Sequence, residues 1–246
     1  MARSATGADG RDSGTRPTPT RGLLSMTWRD LLFAHWAVPA ETVAARLPDR
    51  LSVDTFEGTA YLGIVPFRME IGPAGLPFRL TFDELNLRTY VRGPDGDRGV
   101  HFFNLDADDR LGVSVARSLF RLPYYRAETE FRRAGERVHF RSRRTHPDAP
   151  PARFAAEYGP DGPAFTPEPG TLEAFLVENY RFYTMDDGGR LYHGDIDHEP
   201  WTLRPATAEI TGNTLFEASG FDHPDVDPIL HVADPIRVTA GRVHRT

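Results

Sequence analysis

Two tyrosines stand side by side in "FRLPYYRAE", residues 120–128: Tyr124 and Tyr125 follow Pro123, with Arg121 and Arg126 on either side. A phenol can donate or accept a proton. Its ordinary pKa near 10 makes it a poor base at neutral pH unless a nearby cation lowers that value. Arginine is such a cation, and Arg117 lies three residues before this stretch. In "ELNLRTYV", Glu84, Asn86, Arg88 and Tyr90 share one face of a strand, and Leu85, Leu87 and Thr89 share the other. An arginine in that row can grip a substrate carboxylate bidentately, while Glu84 can orient it or move a proton. The candidate catalytic residues are therefore Tyr124, Tyr125, Glu84 and Arg117, and the candidate substrate-binding residues are Arg88, His35 and Trp201. A plainer reading makes the tyrosine pair alternate strand residues with one packed in the core. Either one could face a cavity.

Composition limits this chemistry. All 29 residues counted as lysine plus arginine are arginines, so no side-chain amine exists to form a Schiff base. Codon drift in a GC-rich genome would leave the same composition, and the chemical exclusion holds either way. Cysteine is absent too, which removes disulfides, thiolate nucleophiles and Cys-ligated zinc. Neither G-x-G-x-x-G nor G-x-x-x-x-G-K-[ST] occurs, so no nucleotide cofactor is expected, and no other cofactor is implied. "GVSVA" around Ser114 departs from the nucleophile elbow at its last position. A net charge of −6 and a pI of about 5.8 argue against nucleic acid as a partner.

The most metal-like stretch is "YHGDIDHEPW", where His193, Asp195 and Asp197 fall on one face if the segment is a strand, with His198 beside them. A charged turn explains the same letters, and it explains His223 with Asp222, Asp225 and Asp227 more simply still. No metal is expected. The lone histidines at 35, 101, 139 and 231 read first as structural imidazoles, although His35 and Trp36 follow an apolar run and could line a cavity.

The elements that must position these groups are mostly short strands separated by Gly, Pro and Asp. "LSVDTFEGTAYLGIVPFRMEI" reads as two strands around Glu57 and Gly58, and "ELNLRTYV" pairs with "VHFFNLD" across "GPDGDRG". A hairpin turning at Ala134–Gly135 would set Phe131 against Val138, Thr129 against Phe140, Glu130 against His139 and Glu128 against Arg141. Helices are expected in "PAETVAARLP", in "DDRLGVSVARSLFRL", and in "TLEAFLVENY" with Thr171 as N-cap; everything after Tyr180 reads as strands and turns. The polar row of "ELNLRTYV" either faces water or points into a ligand cavity. Residues 1–22 read as a disordered tail without the apolar run of a signal peptide, and residues 23–246 as one domain. With no apolar run long enough to span a bilayer, no membrane partner is expected, and cytoplasm is the expected location. Assembly into a homo-oligomer is left open.

Beyond these patterns, "LLFAHWAVP", "DTFEGTAYLGIVPFRM", "ELNLRTYV", "GVHFFNLDA", "LPYYRAE", "PGTLEAFLVENYRFY" and "HEPWTL" resemble, in order, the DUF2071 or YqjF-like family over roughly residues 24–240. The resemblance implies a mainly β fold with a few short helices, similar to acetoacetate decarboxylase: a single-domain antiparallel β-barrel or cone with a polar interior pocket. In that enzyme an arginine lies seven residues before a lysine pair that ends Pro-Lys-Lys. Arg117 lies seven before Tyr124 in "ARSLFRLPYYRA", so the tyrosines stand where the lysines would be. Glu84 similarly falls where a pocket glutamate would be expected. Scaffold and pocket carry over, and Schiff-base decarboxylation does not.

The expected function is an enzyme of proton transfer on a carbonyl or carboxylate compound, by dehydration, cyclisation or isomerisation. Arg88 or Arg117 would hold an anionic small molecule, and Tyr124 or Tyr125 would act as acid or base. The alternative is a protein that binds an anionic or aromatic metabolite without chemistry.

Overall fold

Strands with a two-residue period dominate the chain because so many segments place apolar residues on both faces. The computed structural model describes residues 22–108, 121–186 and 188–246. Its elements are β1 (Leu24–Arg29), β2 (Leu31–Val38), α1 (Ala40–Ala44), β3 (Ser52–Val53), β4 (Ala60–Pro73), β5 (Leu80–Arg92), β6 (Arg98–Ala107), β7 (Tyr124–Ala134), β8 (Arg137–Arg144) and β9 (Arg153–Pro160). They continue with α2 (Leu172–Val177), β10 (Arg181–Met185), β11 (Leu191–His198), β12 (Leu203–Asn213), α3 (Leu215–Ala218), β13 (Ile229–Ala233) and β14 (Ile236–Arg245). Mainly β structure with a few short helices was the expected class, and it is the one observed.

The 14-stranded sheet closes on itself. Hydrogen-bonded neighbours run β1-β14-β11-β10-β6-β5-β4 and back to β1, which makes one ring. A second path runs from β6 through β7, β8, β9, β12, β13 and β2 to β4, so β4, β5 and β6 form a wall common to both sides. The long strands make this possible. The first part of β4 pairs with β2 (Ala34↔Ile64), its last part pairs with β1 (Trp28↔Met69), and β5 runs along both. Most pairings are antiparallel, as expected, but β6 is parallel to both β7 and β10.

Each side of the common wall carries its own core. Val65, Phe67, Met69 and Phe82 pack inside the ring with Met26, Tyr124, Phe175 and Trp201. Leu62, Ile64, Leu85 and Leu87 pack on the other side with Phe140, Phe154 and Phe216. Alternation along β4 and β5 feeds both cores at once.

Several local expectations hold. β5 pairs with β6, Glu57 and Gly58 form a tight turn at positive φ (50° and 83°), and Thr171 Oγ1 caps α2 by accepting from the Ala174 amide at 3.3 Å. Others need correction. The β7–β8 loop is Gly135–Glu136, so Phe131 faces Phe140, Thr129 faces Ser142, Glu130 faces Arg141 and Glu128 faces Arg143. Gly135, at φ 62°, takes the first loop position, which favours glycine, and this moves the register by two while leaving each side chain on its expected face. Helix α3 interrupts the stretch read as strands and turns; it is only four residues long and buries just Leu215 and Phe216, too little for a helical period to register. Most of the helix expected in "DDRLGVSVARSLFRL" and the tail at 1–21 lie outside the described residues. Among the described residues no helix is long and apolar enough to cross a membrane.

Candidate functional site

The polar row of β5 faces a cavity of about 390 Å³ inside the ring, lined by Phe82, Glu84, Asn86 and Arg88 together with Tyr124. Leu85 and Leu87 turn the other way, into the second core. Glu84 lies opposite Ala107 and Asn86 opposite Leu105, and Leu105 in turn pairs with Tyr124. The tyrosine is thus two strands from the glutamate. Its long side chain crosses this gap, and the small side chain of Ala107 leaves room beside it. The Tyr124 hydroxyl donates to Glu84 Oε2 at 2.7 Å, and Asn86 Nδ2 lies 3.4 Å from Oε1.

Both groups are buried, and burial decides their protonation. Desolvation pushes the Glu84 carboxyl up to about 7, against the opposing pull of its hydrogen bonds from Tyr124 and Asn86. Burial and the adjacent carboxylate hold Tyr124 well above the usual phenol value. This is opposite to the shift a phenolic base would require. The group tuned towards neutrality is Glu84, and Tyr124 is a donor.

Arg88 stands four residues beyond Glu84 along β5, half-buried in the cavity wall. Its guanidinium lies over the rings of Phe33 (5.2 Å) and Tyr90 (5.9 Å) and makes a long contact, 3.4 Å, to the Leu176 carbonyl. Among the described residues it is ion-paired with no carboxylate, and its Nε has no partner. A free anion would meet an uncompensated cation there.

His35 supports this arrangement from behind. The Tyr90 hydroxyl lies 2.7 Å from both the Leu176 carbonyl and His35 Nε2. With the phenol proton on the carbonyl, Nε2–H donates to the phenol oxygen, leaving His35 Nδ1 as the bare nitrogen, buried without a partner among the described residues. Burial, then Arg88, then His231 hold the imidazole well below its ordinary pKa, so it is neutral. His35 does not line the cavity. Its ring lies over Gly63, where an added Cβ would come within 2.8 Å of His35 Cδ2.

Trp201 lines the cavity, edge-on to Phe33 and stacked with Trp28. Tyr125 points to the other side of the sheet, where its ring lies 4.2 Å from the Arg144 guanidinium and edge-on to His146. Arg117 lies outside the described residues. The 193–198 stretch is drawn apart: His193 Nδ1 is 2.9 Å from Thr246 Oγ1, Asp195 is held by Arg181 at 2.7 Å, and His198 joins the cavity wall. No group of three His, Cys, Asp or Glu among the described residues could hold a metal.

Trp28, Asn86 and Asn179 also belong to the wall without having been singled out as binding residues, and His198, read only as part of a metal-like stretch, joins them. Asn86 could have been, since it shares the Glu84–Arg88 face. Trp28 and Asn179 come from distant elements and carry no local signal.

Comparison with known proteins agrees with this architecture. The DUF2071 family, described as an uncharacterized conserved protein, matches residues 25–237. The uncharacterized protein YqjF of Bacillus subtilis (strain 168) is 41% identical over 216 residues, covering 86% of this chain and 87% of that protein. Among solved structures, the enduracididine biosynthesis enzyme MppR complexed with pyruvate is similar at a TM-score of 0.63 and 12% identity, over 94% of this chain and 93% of that one. The acetoacetate decarboxylase of Legionella pneumophila subsp. pneumophila is similar at a TM-score of 0.57 and 12% identity, over 100% and 98%. At these identities the structural likeness is one of fold.

Proposed function

This chain belongs to the DUF2071 family, and on that footing we propose that it is a small-molecule enzyme that moves protons on a carbonyl or carboxylate compound, with Glu84 as base and acid, Tyr124 as hydrogen-bond donor and Arg88 as the anion holder. One observation carries the reading: a buried carboxyl without a cationic partner among the described residues is held by a phenol at 2.7 Å on the wall of a cavity. A carboxyl pushed up to about 7 is poised to take and return protons at neutral pH. The phenol, fully protonated, can turn its hydrogen from Glu84 to a substrate oxygen.

The chemistry follows from those roles. Glu84 removes a proton from the carbon beside a carbonyl, and the C–H electron pair becomes the C=C of an enolate whose oxygen rests against the Tyr124 hydroxyl. Return of the proton to another carbon gives isomerisation. Loss of a β-hydroxyl, protonated by the now neutral Glu84, gives dehydration. Attack of the enolate carbon on an internal carbonyl gives cyclisation. Without lysine none of these routes passes through a Schiff base. The pyruvate bound by MppR supports an oxo acid as the kind of molecule such a fold can hold.

The second reading, carriage of the ligand without chemistry, is favoured by the largely apolar wall around these few polar groups. Deuterium exchange separates the two. The protein is incubated with 2-oxobutyrate in D₂O and labelling of its C3 position is followed by NMR. We expect catalysed exchange that Glu84→Gln lowers by about 10²–10⁴. Binding with no exchange above solvent would leave only carriage.

A further inference from the structure

The cavity is polar at one end and apolar at the other, in an order set by strand register. Along β5, Leu80, Phe82, Glu84, Asn86 and Arg88 follow one another on the cavity face. Their partners on β4 are Ile71, Met69, Phe67, Val65 and Gly63, and β1 adds Met26 opposite Ile71 and Trp28 opposite Met69. On these three strands the Leu80 row is apolar, the Phe82 row adds only the indole N–H of Trp28, and the carboxyl, amide and guanidinium groups of β5 begin at Glu84; across β14 the Leu80 row continues through Val238 to His198, and Asn179 and Arg181 add further polar groups to the wall. At about 3.3 Å per residue, Leu80 to Glu84 spans roughly 13 Å, and Glu84 to Arg88 spans as much again. Beyond Leu80 the cavity reaches the surface at the β4–β5 hairpin, where Phe78 is 60% exposed on its rim and neighbouring Leu76 is 56% exposed.

The deep end has unused hydrogen-bonding capacity. Among the described residues, Asn86 Oδ1, Arg88 Nε and Asn179 Oδ1 are buried without a partner, and so are the indole nitrogens of Trp201 and, in the Phe82 row, of Trp28. All five residues belong to the cavity wall. A hydrocarbon satisfies none of these groups, and a small polar acid leaves the outer half of the cavity holding water against apolar side chains.

We propose that the natural ligand is an amphipathic oxo acid: its acidic head lies in the polar half of the cavity between Arg88 and the Tyr124–Glu84 pair, and its hydrocarbon body runs past Phe82 and Leu80 to the mouth beside Phe78. This names the substrate class of the proton-transfer site and rests on that reading for the head group. The apolar half of the cavity carries the tail independently.

The test is calorimetric binding of straight-chain 2-oxo acids from pyruvate to 2-oxodecanoate to the full chain, with Leu80→Glu and Arg88→Gln beside wild type. We expect affinity to rise about fourfold per added methylene until the tail reaches the mouth, as burial of one CH₂ dictates. Leu80→Glu should weaken the longest members at least tenfold and leave pyruvate within twofold, whereas Arg88→Gln should weaken every member. A flat series, a preference for a short dicarboxylate such as oxaloacetate, or no binding by any member would overturn the tail. A flat series that still depends on Arg88 would do so while leaving the head-group site standing. A rising series indifferent to Arg88→Gln would overturn the head-group placement and leave the tail.

Discussion

Glu84 and Asp106 are buried carboxyls on adjacent strands that face opposite sides of the same wall, because Asp106 pairs with Leu85, the next residue along β5. Asp106 is clamped by Arg144, whose Nε and Nη2 reach its oxygens at 2.7 and 3.1 Å, with both side chains almost fully buried. Among the described residues Glu84 meets only a phenol and an amide. Burial raises the pKa of both carboxyls, but at Asp106 the Arg144 guanidinium opposes the rise, whereas Glu84 has no cationic partner among the described residues.

Glu84 should make stability depend on pH. Its pKa is raised in the folded state, from 4.5 to about 7. Between those values the folded state therefore binds more protons than the unfolded state, and stability falls as pH rises from about 4.5 to about 7 and then levels. A shift of this size corresponds to a loss on the order of 3 kcal/mol. Denaturant unfolding at pH 5 and pH 8 should show the loss in wild type and a much smaller one in Glu84→Gln.

The two tyrosines should separate cleanly. Tyr124→Phe removes a donor from Glu84 and from any bound oxyanion. The exchange rate should drop by about 10²–10³ at its plateau, and its midpoint should move above the wild-type one, because the Tyr124 hydrogen bond holds the Glu84 pKa down. Tyr125→Phe should keep both rate and midpoint, since that ring lies against Arg144 on the far side. Equal effects of the two substitutions would contradict the assignment.

Much of this was legible in sequence. The alternation of "ELNLRTYV" puts Glu84, Asn86 and Arg88 on one face, and they are found there. Whether that face meets water or a cavity depends on β1 closing the ring, through pairings such as Leu24 with Ala240, and no local pattern encodes such a contact. The choice between Tyr124 and Tyr125 likewise depends on the parallel pairing of β7 with β6. The hairpin register slipped because a glycine can open or close a two-residue loop, and the letters around Gly135 suit both.

Gly63→Ala should act at a distance from the chemistry. Its Cβ would lie 2.8 Å from His35 Cδ2 and 3.5 Å from Arg88 Cγ, so the imidazole must move, and Tyr90 with it. We expect a stability loss of about 1–3 kcal/mol from overpacking and weaker binding of 2-oxo acids, with the midpoint of the exchange profile unchanged. Calorimetry and the pH profile of the same variant check both parts.

Asp106→Asn is the contrasting substitution. It leaves the buried Arg144 guanidinium without its counter-charge and should cost about 3–5 kcal/mol, read by denaturant unfolding. The pH midpoint of exchange should stay where wild type has it, because Asp106 and Glu84 lie on opposite sides of the wall.

The most direct measurement is the pH dependence of deuterium incorporation into 2-oxobutyrate, for wild type and Glu84→Gln. A base must be ionised to act, so the wild-type rate should rise with pH through a midpoint near 7 and then level off, as the Glu84 carboxyl dictates. The Gln variant should show only the slow, steadily rising rate of the solvent reaction. A wild-type profile that the Gln variant reproduces would contradict Glu84 as the proton-transfer group.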